Sequence, residues 1–265
     1  MEHGERHLLD RSVGVLKTQH TLNGRTDFVI EIVCHRGANE YAPENTYPSA
    51  EKCIAWGVEY VEIDVNTSRD GVMYLFHGPD VGRRTDGTGM FYDLTSTIIN
   101  TLDAGSWFSP KFAYERIPRL DEFLNWIKGK SKVYFDVKRA DHEQLLTLIR
   151  EVGLENDCFF WSSHSEWSQK LKEIAPEFPV KLNVRHIEDV RDVHQKYGAD
   201  IVEVSLNNMS TELQNCCANL GIKVMIYHKE KDPEAFRKII NWNVDMINLN
   251  HADAFIEVAQ EMGIR

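Results

Sequence analysis

The sequence predicts an α/β protein, a single (β/α)₈ barrel of the TIM type with an inserted segment after the third strand, and three observations favour it. Short runs rich in β-branched and aromatic residues recur along the 265-residue chain with helical patterns between most of them, as in a parallel sheet. Several runs are almost continuously apolar, which is typical of strands covered on both faces. No linker rich in proline, glycine or serine divides the chain, so one barrel is favoured over a doubly wound open sheet.

Nine strands are predicted, which is one more than a barrel of eight needs, so one of them lies outside the barrel or is not a strand. Residues 1–28 are polar without a clear period, and we expect them to form an N-terminal extension before a single domain at residues 29–265. The predicted strands are residues 29–34, 60–65, 72–76, 132–137, 158–161, 180–184, 201–204, 223–227 and 245–249.

The connection between the second and third predicted strands departs from the repeat. Only residues 66–71 separate these strands, and they are too few for a helical crossover, so we expect an antiparallel hairpin. A turn centred between Arg69 and Asp70 would set Glu62 opposite His77.

A second departure is the long segment of about residues 79–118, which contains several glycines and prolines. We expect a lid or a small inserted subdomain at the mouth of the barrel. Its aromatic residues, among them Trp107, Phe108, Phe112 and Tyr114, either line a ligand or form a core within the segment.

Composition excludes some classes of function. Forty-one acidic and 30 basic residues give a net charge of −11, so broad binding to nucleic acid is not expected, although a small anion needs only a few positive groups. The five cysteines are scattered without zinc-ligand spacing, which favours a reducing compartment. No apolar run approaches the roughly 18–20 residues of a membrane span and no signal peptide is visible, so we expect a cytoplasmic protein without stable membrane insertion.

The strongest local signal is His35-Arg36-Gly37 at the end of the first predicted strand, where barrels carry functional groups. His35 can exchange a proton near neutral pH, Arg36 can bind a phosphate or carboxylate, and Gly37 lets the backbone approach a ligand. A histidine that caps a strand, next to an arginine paired with a surface acid, is an equally good interpretation of these residues alone.

Glu62 and Asp64 are two residues apart in a predicted strand, so both carboxylates project to the same face. Their mutual repulsion calls for a cation, and oxygen ligands favour Mg²⁺ or Ca²⁺ over zinc. Two solvated acids, or two acids paired with lysines, are the alternative. The apolar residues Val61, Ile63 and Val65 alternate with the acids and favour a metal site.

Asp136 and Lys138 repeat this spacing on the fourth predicted strand. Asp136 could supply a third oxygen ligand while Lys138 faces a phosphate, although an internal ion pair would also explain both residues. His77 follows the third predicted strand and would supply a second imidazole, so that one histidine could act as a base and the other as an acid.

Taken in order, these motifs resemble the glycerophosphodiester phosphodiesterase family, most closely in the N-terminal half. The resemblance implies a (β/α)₈ barrel, a divalent metal ion (Mg²⁺ or Ca²⁺, with Mn²⁺ as a further choice) and hydrolysis of glycerophosphodiesters to sn-glycerol 3-phosphate and an alcohol. The motifs are His35-Arg36-Gly37, Pro43-Glu44-Asn45-Thr46, Glu62-Ile63-Asp64, Asp70-Gly71 followed by His77, Gly105-Ser106-Trp107-Phe108 and Asp136-Val137-Lys138.

The resemblance also implies a role for each matched residue and a small-molecule substrate. Two alternatives stay open: hydrolysis of another phosphodiester, such as a glycerophosphoinositol, a lysophospholipid or a sugar phosphodiester, and binding of a phosphorylated metabolite without catalysis. The implied roles are metal ligands at Glu62, Asp64 and Asp136, general acid and base at His35 and His77, phosphate contacts at Arg36 and Lys138, and a metal ligand or orienting group at Glu44.

Two departures from the family pattern bear on the metal and the substrate. The family usually has Glu where this chain has Asp136, and the loss of one methylene shortens the reach of the side chain by about 1.5 Å. The strand ends Tyr227-His228-Lys229-Glu230 and Asn248-Leu249-Asn250 replace the residues typical of the family. We therefore expect an altered metal site and an unusual substrate preference.

Overall fold

A computed structural model describes residues 21–22, 25–26 and 29–265. The predicted N-terminal extension at residues 1–28 lies outside the described residues except for two short strands. These are β1 (Thr21–Leu22) and β2 (Arg25–Thr26), which pair with each other in antiparallel fashion.

A barrel of eight parallel strands forms the centre of the molecule, so the predicted TIM-barrel fold is confirmed. The strands that follow β2 are β3 (Glu31–Cys34), β4 (Tyr60–Thr67), β5 (Met73–Leu75), β6 (Lys132–Val137), β7 (Cys158–Trp161), β8 (Lys181–Asn183), β9 (Ile201–Val204), β10 (Lys223–His228) and β11 (Met246–Leu249). All of these except β5 belong to the barrel, in the order β7-β6-β4-β3-β11-β10-β9-β8. The two ends of this order meet at a parallel bridge between Phe160 and Val180, where the Phe160 amide donates to the Pro179 carbonyl at 3.0 Å.

Helices cover the outer face of the barrel. In α4, for example, the Asp141 carboxylate caps the first turn by accepting from the Gln144 amide, and Gly153 ends the helix with a φ of 77°. No helix among residues 29–265 combines the length and apolar character needed to cross a bilayer. The helices are α1 (Tyr47–Trp56), α2 (Ser96–Ile99), α3 (Leu120–Ile127), α4 (His142–Val152), α5 (Ser165–Ile174), α6 (Ile187–Tyr197), α7 (Thr211–Leu220), α8 (Pro233–Trp242) and α9 (Ala252–Glu261).

Side chains inside the barrel form layers because every second residue of a strand points inward. The lower layer is a cluster of apolar and aromatic residues. Two residues further along the strands, the inward positions become mostly polar, as His35, Glu62, Asp136 and Glu203 illustrate. The barrel therefore has an apolar floor and a polar mouth. The lower layer consists of Val33, Tyr60, Tyr134, Phe159, Ile201, Met225 and Met246.

Strand β5 pairs antiparallel with β4 outside the barrel, as the hairpin prediction expects. The predicted register is wrong by one residue, so Glu62 does not lie opposite His77. The turn is centred on Asp70, because the Gly71 amide donates to the Ser68 carbonyl at 3.1 Å and Gly71 adopts a φ of 84°. The paired residues are Val65 with Leu75, Asn66 with Tyr74 and Thr67 with Met73.

The segment between β5 and α3 packs with β5 in a small apolar core, which contains none of the four aromatic residues that the sequence singles out there. Phe108 packs against Phe112 with ring centroids 5.7 Å apart, and Tyr114 is exposed. Trp107 instead lines a small cleft next to His77. The core residues are Tyr74, Phe76, Val81, Phe91, Ile99, Leu102, Ala104 and Ile117.

Asp103 organises the last part of this segment. Its carboxylate accepts hydrogen bonds from the amides of Gly105 at 2.9 Å, Ser106 at 2.8 Å and Tyr114 at 2.8 Å. Burial alone would raise the pKa of Asp103, but these donors hold it well below its usual range. The last part of the segment is therefore held together by one ionised side chain.

Candidate active site

A cavity of about 330 Å³ opens at the C-terminal ends of the barrel strands. The strand ends bring most of the predicted site residues together in its wall. Asp64 lies buried beside them, within ion-pair distance of Arg36 and Lys138. The predicted residues in the wall are His35, Arg36, Glu62, His77, Asp136 and Lys138.

Glu62, Asp64 and Asp136 form a cluster of buried carboxylates. One oxygen of each residue lies within 4.8 Å of the corresponding oxygens of the other two. Asp136 Oδ1 is buried and has no hydrogen-bond donor among the described residues. Because carboxylates this close repel one another, the cluster fits a hard divalent cation that prefers oxygen ligands.

The three carboxylates differ in their ease of ionisation. Burial and the neighbouring charge of Asp64 raise the pKa of Glu62 well above its usual range, and the same causes raise the pKa of Asp136 to about 6. Burial also opposes ionisation of Asp64, but the charges of Lys138 and Arg36 outweigh it and lower the pKa of Asp64. A cation bound here would favour the ionised form of all three.

Two basic side chains bracket the carboxylates. Lys138 Nζ lies 3.1 Å from Asp64 Oδ1 and 2.5 Å from Asp136 Oδ2. Arg36 Nε lies 3.4 Å from Asp64 Oδ2, and the Arg36 amide donates to the Glu62 carboxylate. Each basic side chain remains partly exposed to the cavity, where it can contact an anion such as a phosphate.

Asn45, to which the sequence analysis gave no role of its own, fixes the position of Asp64. Its Nδ2 donates to Asp64 Oδ2 at 2.6 Å, and its Oδ1 accepts from the Asp64 amide at 2.9 Å. Asn45 adopts a φ of 58°, a left-handed conformation that asparagine tolerates. Gly37 has a φ of 75°, and any side chain there would collide with Ser49. The motif that contains Asn45 was visible in the sequence, but its contact with Asp64 was not.

Glu44 links the cavity to the inserted segment. Its Oε2 lies 3.5 Å from Arg36 Nη1, and its Oε1 lies 3.3 Å from Arg84 Nε. The Arg84 guanidinium in turn lies over the Trp107 ring, 4.3 Å from its centroid. Both oxygens of Glu44 thus face arginines, and this geometry favours an orienting role for Glu44 over that of a metal ligand.

His35 is held by Asn250. The Nδ1 of His35 lies 2.9 Å from Asn250 Oδ1, which can only accept, so this contact places the ring proton on Nδ1 and leaves Nε2 with a lone pair. Asn39 Nδ2 lies further from the same nitrogen, at 3.4 Å, and also donates to Asn250 Oδ1 at 3.2 Å. Burial, aided by the charge of Arg36, lowers the pKa of His35, so the imidazole is neutral.

His77 follows β5 and approaches the carboxylates from outside the barrel sheet. Burial lowers its pKa to about 4; the charge of Asp64 opposes this shift and that of Arg36 adds to it. Both histidines are therefore neutral at neutral pH and able to accept a proton.

The cavity also contains polar residues that the sequence analysis did not single out. Lys181 is 2% exposed and forms an ion pair with Glu203, with 3.3 Å between Nζ and Oε1. Glu203 could have been noticed, because it is the one charged residue in the apolar run Ile201–Val204. Lys181 gave no such signal, because a lysine at the start of a strand is usually solvated. The residues of the cavity wall that were not identified from the sequence are Tyr134, Trp161, Lys181, Asn183 and Glu203.

The known proteins that match this chain belong to one family, and the matches extend over most of the described residues. The model of the glycerophosphoryl diester phosphodiesterase family matches residues 35–254. The glycerophosphodiester phosphodiesterase of Caldanaerobacter subterraneus subsp. tengcongensis is 27% identical over 240 residues, which cover 88% of this chain and 98% of that protein. YhdW of Bacillus subtilis (strain 168) is 31% identical over 161 residues, which cover 58% of this chain and 65% of that protein.

Solved structures are similar over most of the chain. The crystal structure of glycerophosphodiester phosphodiesterase from Agrobacterium tumefaciens str. C58 has a TM-score of 0.82 and 35% sequence identity, and the match covers 86% of this chain and 99% of that one. An Oleispira antarctica phosphodiesterase, solved in complex with the product sn-glycerol-3-phosphate, has a TM-score of 0.77 and 24% identity, with 88% and 98% of the two chains covered. Because only 24% of the residues are identical, the similarity to the Oleispira antarctica protein shows the fold alone.

Proposed function

Since this chain belongs to the glycerophosphoryl diester phosphodiesterase family, we propose that it hydrolyses glycerophosphodiesters to sn-glycerol 3-phosphate and an alcohol by metal-dependent acid–base catalysis with two histidines. The chain is a phosphodiester hydrolase of this class, like its named relatives. The observation that supports the mechanism is the presence of three clustered carboxylates, two histidines and two cations at one cavity. A barrel that only bound a phosphorylated metabolite would not need two imidazoles there.

Glu62, Asp64 and Asp136 would hold the divalent ion, and Mg²⁺, Ca²⁺ and Mn²⁺ all suit carboxylate ligands. When bound, the ion would offset negative charge on the phosphoryl oxygens. Asp136 Oδ2 accepts a hydrogen bond from Lys138. Asp136 Oδ1, which has no donor among the described residues, is therefore the oxygen available to the ion.

His35 and His77 would act as the acid–base pair. One imidazole would take the proton of the attacking oxygen, and the other would protonate the leaving alcohol. Because Asn250 holds the proton on Nδ1 of His35, proton transfer at His35 would occur at Nε2. A negatively charged phosphodiester beside a neutral imidazole would favour the protonated form that an acid needs.

Arg36 and Lys138 would bind the phosphoryl oxygens. Both side chains reach the cavity and both carry donors beyond those that contact the carboxylates. Glu44 would orient the Arg36 guanidinium, since its carboxylate lies 3.5 Å from Arg36 Nη1.

The direct test is release of sn-glycerol 3-phosphate by the purified protein. The assay uses three substrates: glycerophosphocholine, glycerophosphoethanolamine and glycerophosphoinositol. Each substrate is tested with Mg²⁺, with Ca²⁺, with Mn²⁺, and with EDTA in place of a metal ion. We expect release with at least one ion and none in EDTA. No release in any combination would contradict the proposed hydrolysis, and full release in EDTA would contradict the metal requirement.

Histidine variants test the acid–base pair. We expect His35→Ala and His77→Ala each to lower kcat by at least about 100-fold. Metal affinity, measured by calorimetry, should change little because neither imidazole belongs to the carboxylate cluster. His194→Ala on the outer helix α6 is the matched control and should keep full activity. Wild-type turnover by both site variants would show that the histidines do not transfer the protons.

A further inference from the structure

Lys181 and Glu203 form an ion pair in the cavity wall that the proposed mechanism does not use. Strand β9 lies four places from β4 in the barrel order, so Glu203 faces the carboxylate cluster from the opposite wall. Lys181 Nζ lies 3.3 Å from Glu203 Oε1 and donates to Asn183 Oδ1 at 2.8 Å. A lysine that is 2% exposed would be strongly destabilising without such partners. The pair is neutral as a whole, so it offers hydrogen-bonding groups without a net charge.

Trp161 lies between this pair and the carboxylate cluster. The ammonium of Lys181 is 4.6 Å from the centroid of the Trp161 ring, and that of Lys138 is 5.3 Å from it. Aromatic faces attract cations, and here two lysines already occupy that interaction. The Trp161 ring is therefore less available to a third cation.

Asn248 lies in the same cavity wall, and its side-chain oxygen is of interest. It is 4% exposed, and its Oδ1 is buried without a hydrogen-bond donor among the described residues. A buried acceptor of this kind is costly unless something donates to it, so a ligand with hydroxyl groups would satisfy it. Tyr227 and Glu203 border both this cavity and an adjoining one of about 260 Å³, which gives space for more than the phosphate.

We propose that Lys181, Glu203, Tyr227 and Asn248, here called the hydroxyl wall, bind the alcohol that is esterified to glycerol phosphate, and that this alcohol is a neutral polyhydroxy compound such as an inositol, a sugar or a second glycerol. The wall supplies both donors and acceptors, which suits hydroxyl groups because each hydroxyl both donates and accepts. Choline and ethanolamine carry a positive charge, and the Trp161 ring that could attract it already contacts two ammonium groups. This inference rests on the proposed function.

The first test compares two diesters that differ only in this alcohol. We expect kcat/KM for glycerophosphoinositol to exceed that for glycerophosphocholine by about tenfold or more, because specificity is a difference between two binding free energies. Equal values, or a preference for the choline ester, would overturn the inference.

Variants of the hydroxyl wall then locate the preference. Asn248→Leu should lower kcat/KM for the inositol ester by about tenfold, mostly through KM, and leave the choline ester nearly unchanged. The double variant Lys181→Met with Glu203→Gln leaves no unpaired buried charge and removes one of the two ammonium groups at the Trp161 ring, so it should shift the preference towards choline by about tenfold. Equal losses on both esters would mean that the wall binds the glycerol common to them, and this result would also overturn the inference.

The control is a second ion pair outside the cavity. Lys172 and Asp200 lie 3.0 Å apart between α5 and the start of β9, and Lys172→Met with Asp200→Asn should leave the ratio of the two esters unchanged. Circular dichroism and thermal unfolding verify the fold of every variant.

A binding measurement separates this inference from the proposed function. Calorimetry with inositol 1-phosphate and phosphocholine needs no turnover, and we expect the inositol phosphate to bind more tightly. Tighter binding of phosphocholine would overturn the inference even if glycerophosphodiesters are hydrolysed. Absence of turnover on every diester would instead contradict the proposed function and leave the binding comparison to decide the preference.

Discussion

Asn250 governs which nitrogen of His35 carries a proton, and it does so through one hydrogen bond of 2.9 Å. Histidines in active sites depend on such partners, since the group bound at one nitrogen sets the chemistry of the other. The contact joins the end of β3 to the end of β11, which are neighbours in the barrel. The geometry of His35 is therefore set by the pairing of β3 with β11 as well as by its own strand.

Replacing Asn250 with aspartate should move the pH dependence of the enzyme. A carboxylate beside Nδ1 favours the imidazolium, so Asn250→Asp raises the pKa of His35, which burial and Arg36 now lower. Because a base must be neutral and an acid protonated, the limb of the kcat/KM profile that reports His35 should shift to higher pH by about one unit: the acid limb for a base, the alkaline limb for an acid. The matched control is Asn215→Asp, an exposed position on α7. A profile in which neither limb moves from its wild-type pH would contradict this role for Asn250.

Metal binding should weaken in mildly acidic solution. Burial and Asp64 raise the pKa of Asp136 to about 6, and carboxylates must be ionised to bind a cation. We expect the dissociation constant for Mn²⁺, measured by calorimetry, to rise as the pH falls through about 6. Asp136→Asn should weaken binding by about tenfold or more at pH 7.5 and flatten this dependence. Unchanged affinity in the variant would remove Asp136 from the ligand set.

The residues at the strand ends can be located from the sequence because the alternation of inward and outward positions is local. Glu62, Asp64, Asp136 and Lys138 follow from a period of two and from the polarity of the barrel mouth. Asn45 could not be placed in this way, because its contact with Asp64 depends on how a loop folds back across the next strand. The same holds for the buried position of Lys181, which depends on the packing of neighbouring strands.

The hairpin of β4 and β5 was predicted as an element but not in its register. The length of the connection excluded a crossover, and this argument depends on chain length alone. The register depends instead on the conformation of the turn, where Gly71 takes a positive φ and shifts the centre to Asp70. A change of one residue in register reverses which side chains share a face, so the opposition of Glu62 and His77 could not be inferred.

The inserted segment should depend on Asp103 for its stability. Asp103→Asn removes the charge that several donors share, and we expect a loss of about 1–3 kcal/mol in the free energy of unfolding, read from chemical denaturation. Because the pKa of Asp103 is depressed in the folded protein, its contribution is complete above about pH 4, the ordinary aspartate value, and falls away below it.

The difference in stability between wild type and Asp103→Asn should therefore be constant near neutral pH and shrink in acid. Asp192→Asn on the exposed side of α6 controls for the loss of a surface charge. A difference that grows as the pH falls would contradict this account of Asp103.

The barrel as a whole is weakest between β7 and β8. These strands meet at one parallel bridge, whereas β4 and β6 pair along their length from Tyr60 with Lys132 to Val65 with Val137. Regions with few interstrand hydrogen bonds open more often. Amides in residues 180–184 should therefore exchange with deuterium at least about tenfold faster than amides in β4 and β6, as measured by mass spectrometry. Equal protection of the two regions would show that β8 is held by other contacts.

The contact between β7 and β8 is also a suitable position for new chain termini. A circular permutant with new termini between α5 and β8 would run through the strands in the order in which they stand around the barrel, from β8 to β11 and then from β3 to β7. A linker from Arg265 to the start of β3 would be short, because the Glu59 carboxylate contacts Arg265 at 3.3 Å and accepts from the Ile32 amide at 2.8 Å. The cut would fall at the bridge between Phe160 and Val180, and the strands that carry the carboxylates and His35 would stay in the middle of the sheet. The contact between β7 and β8 is thus the place where the chain of this barrel can be opened.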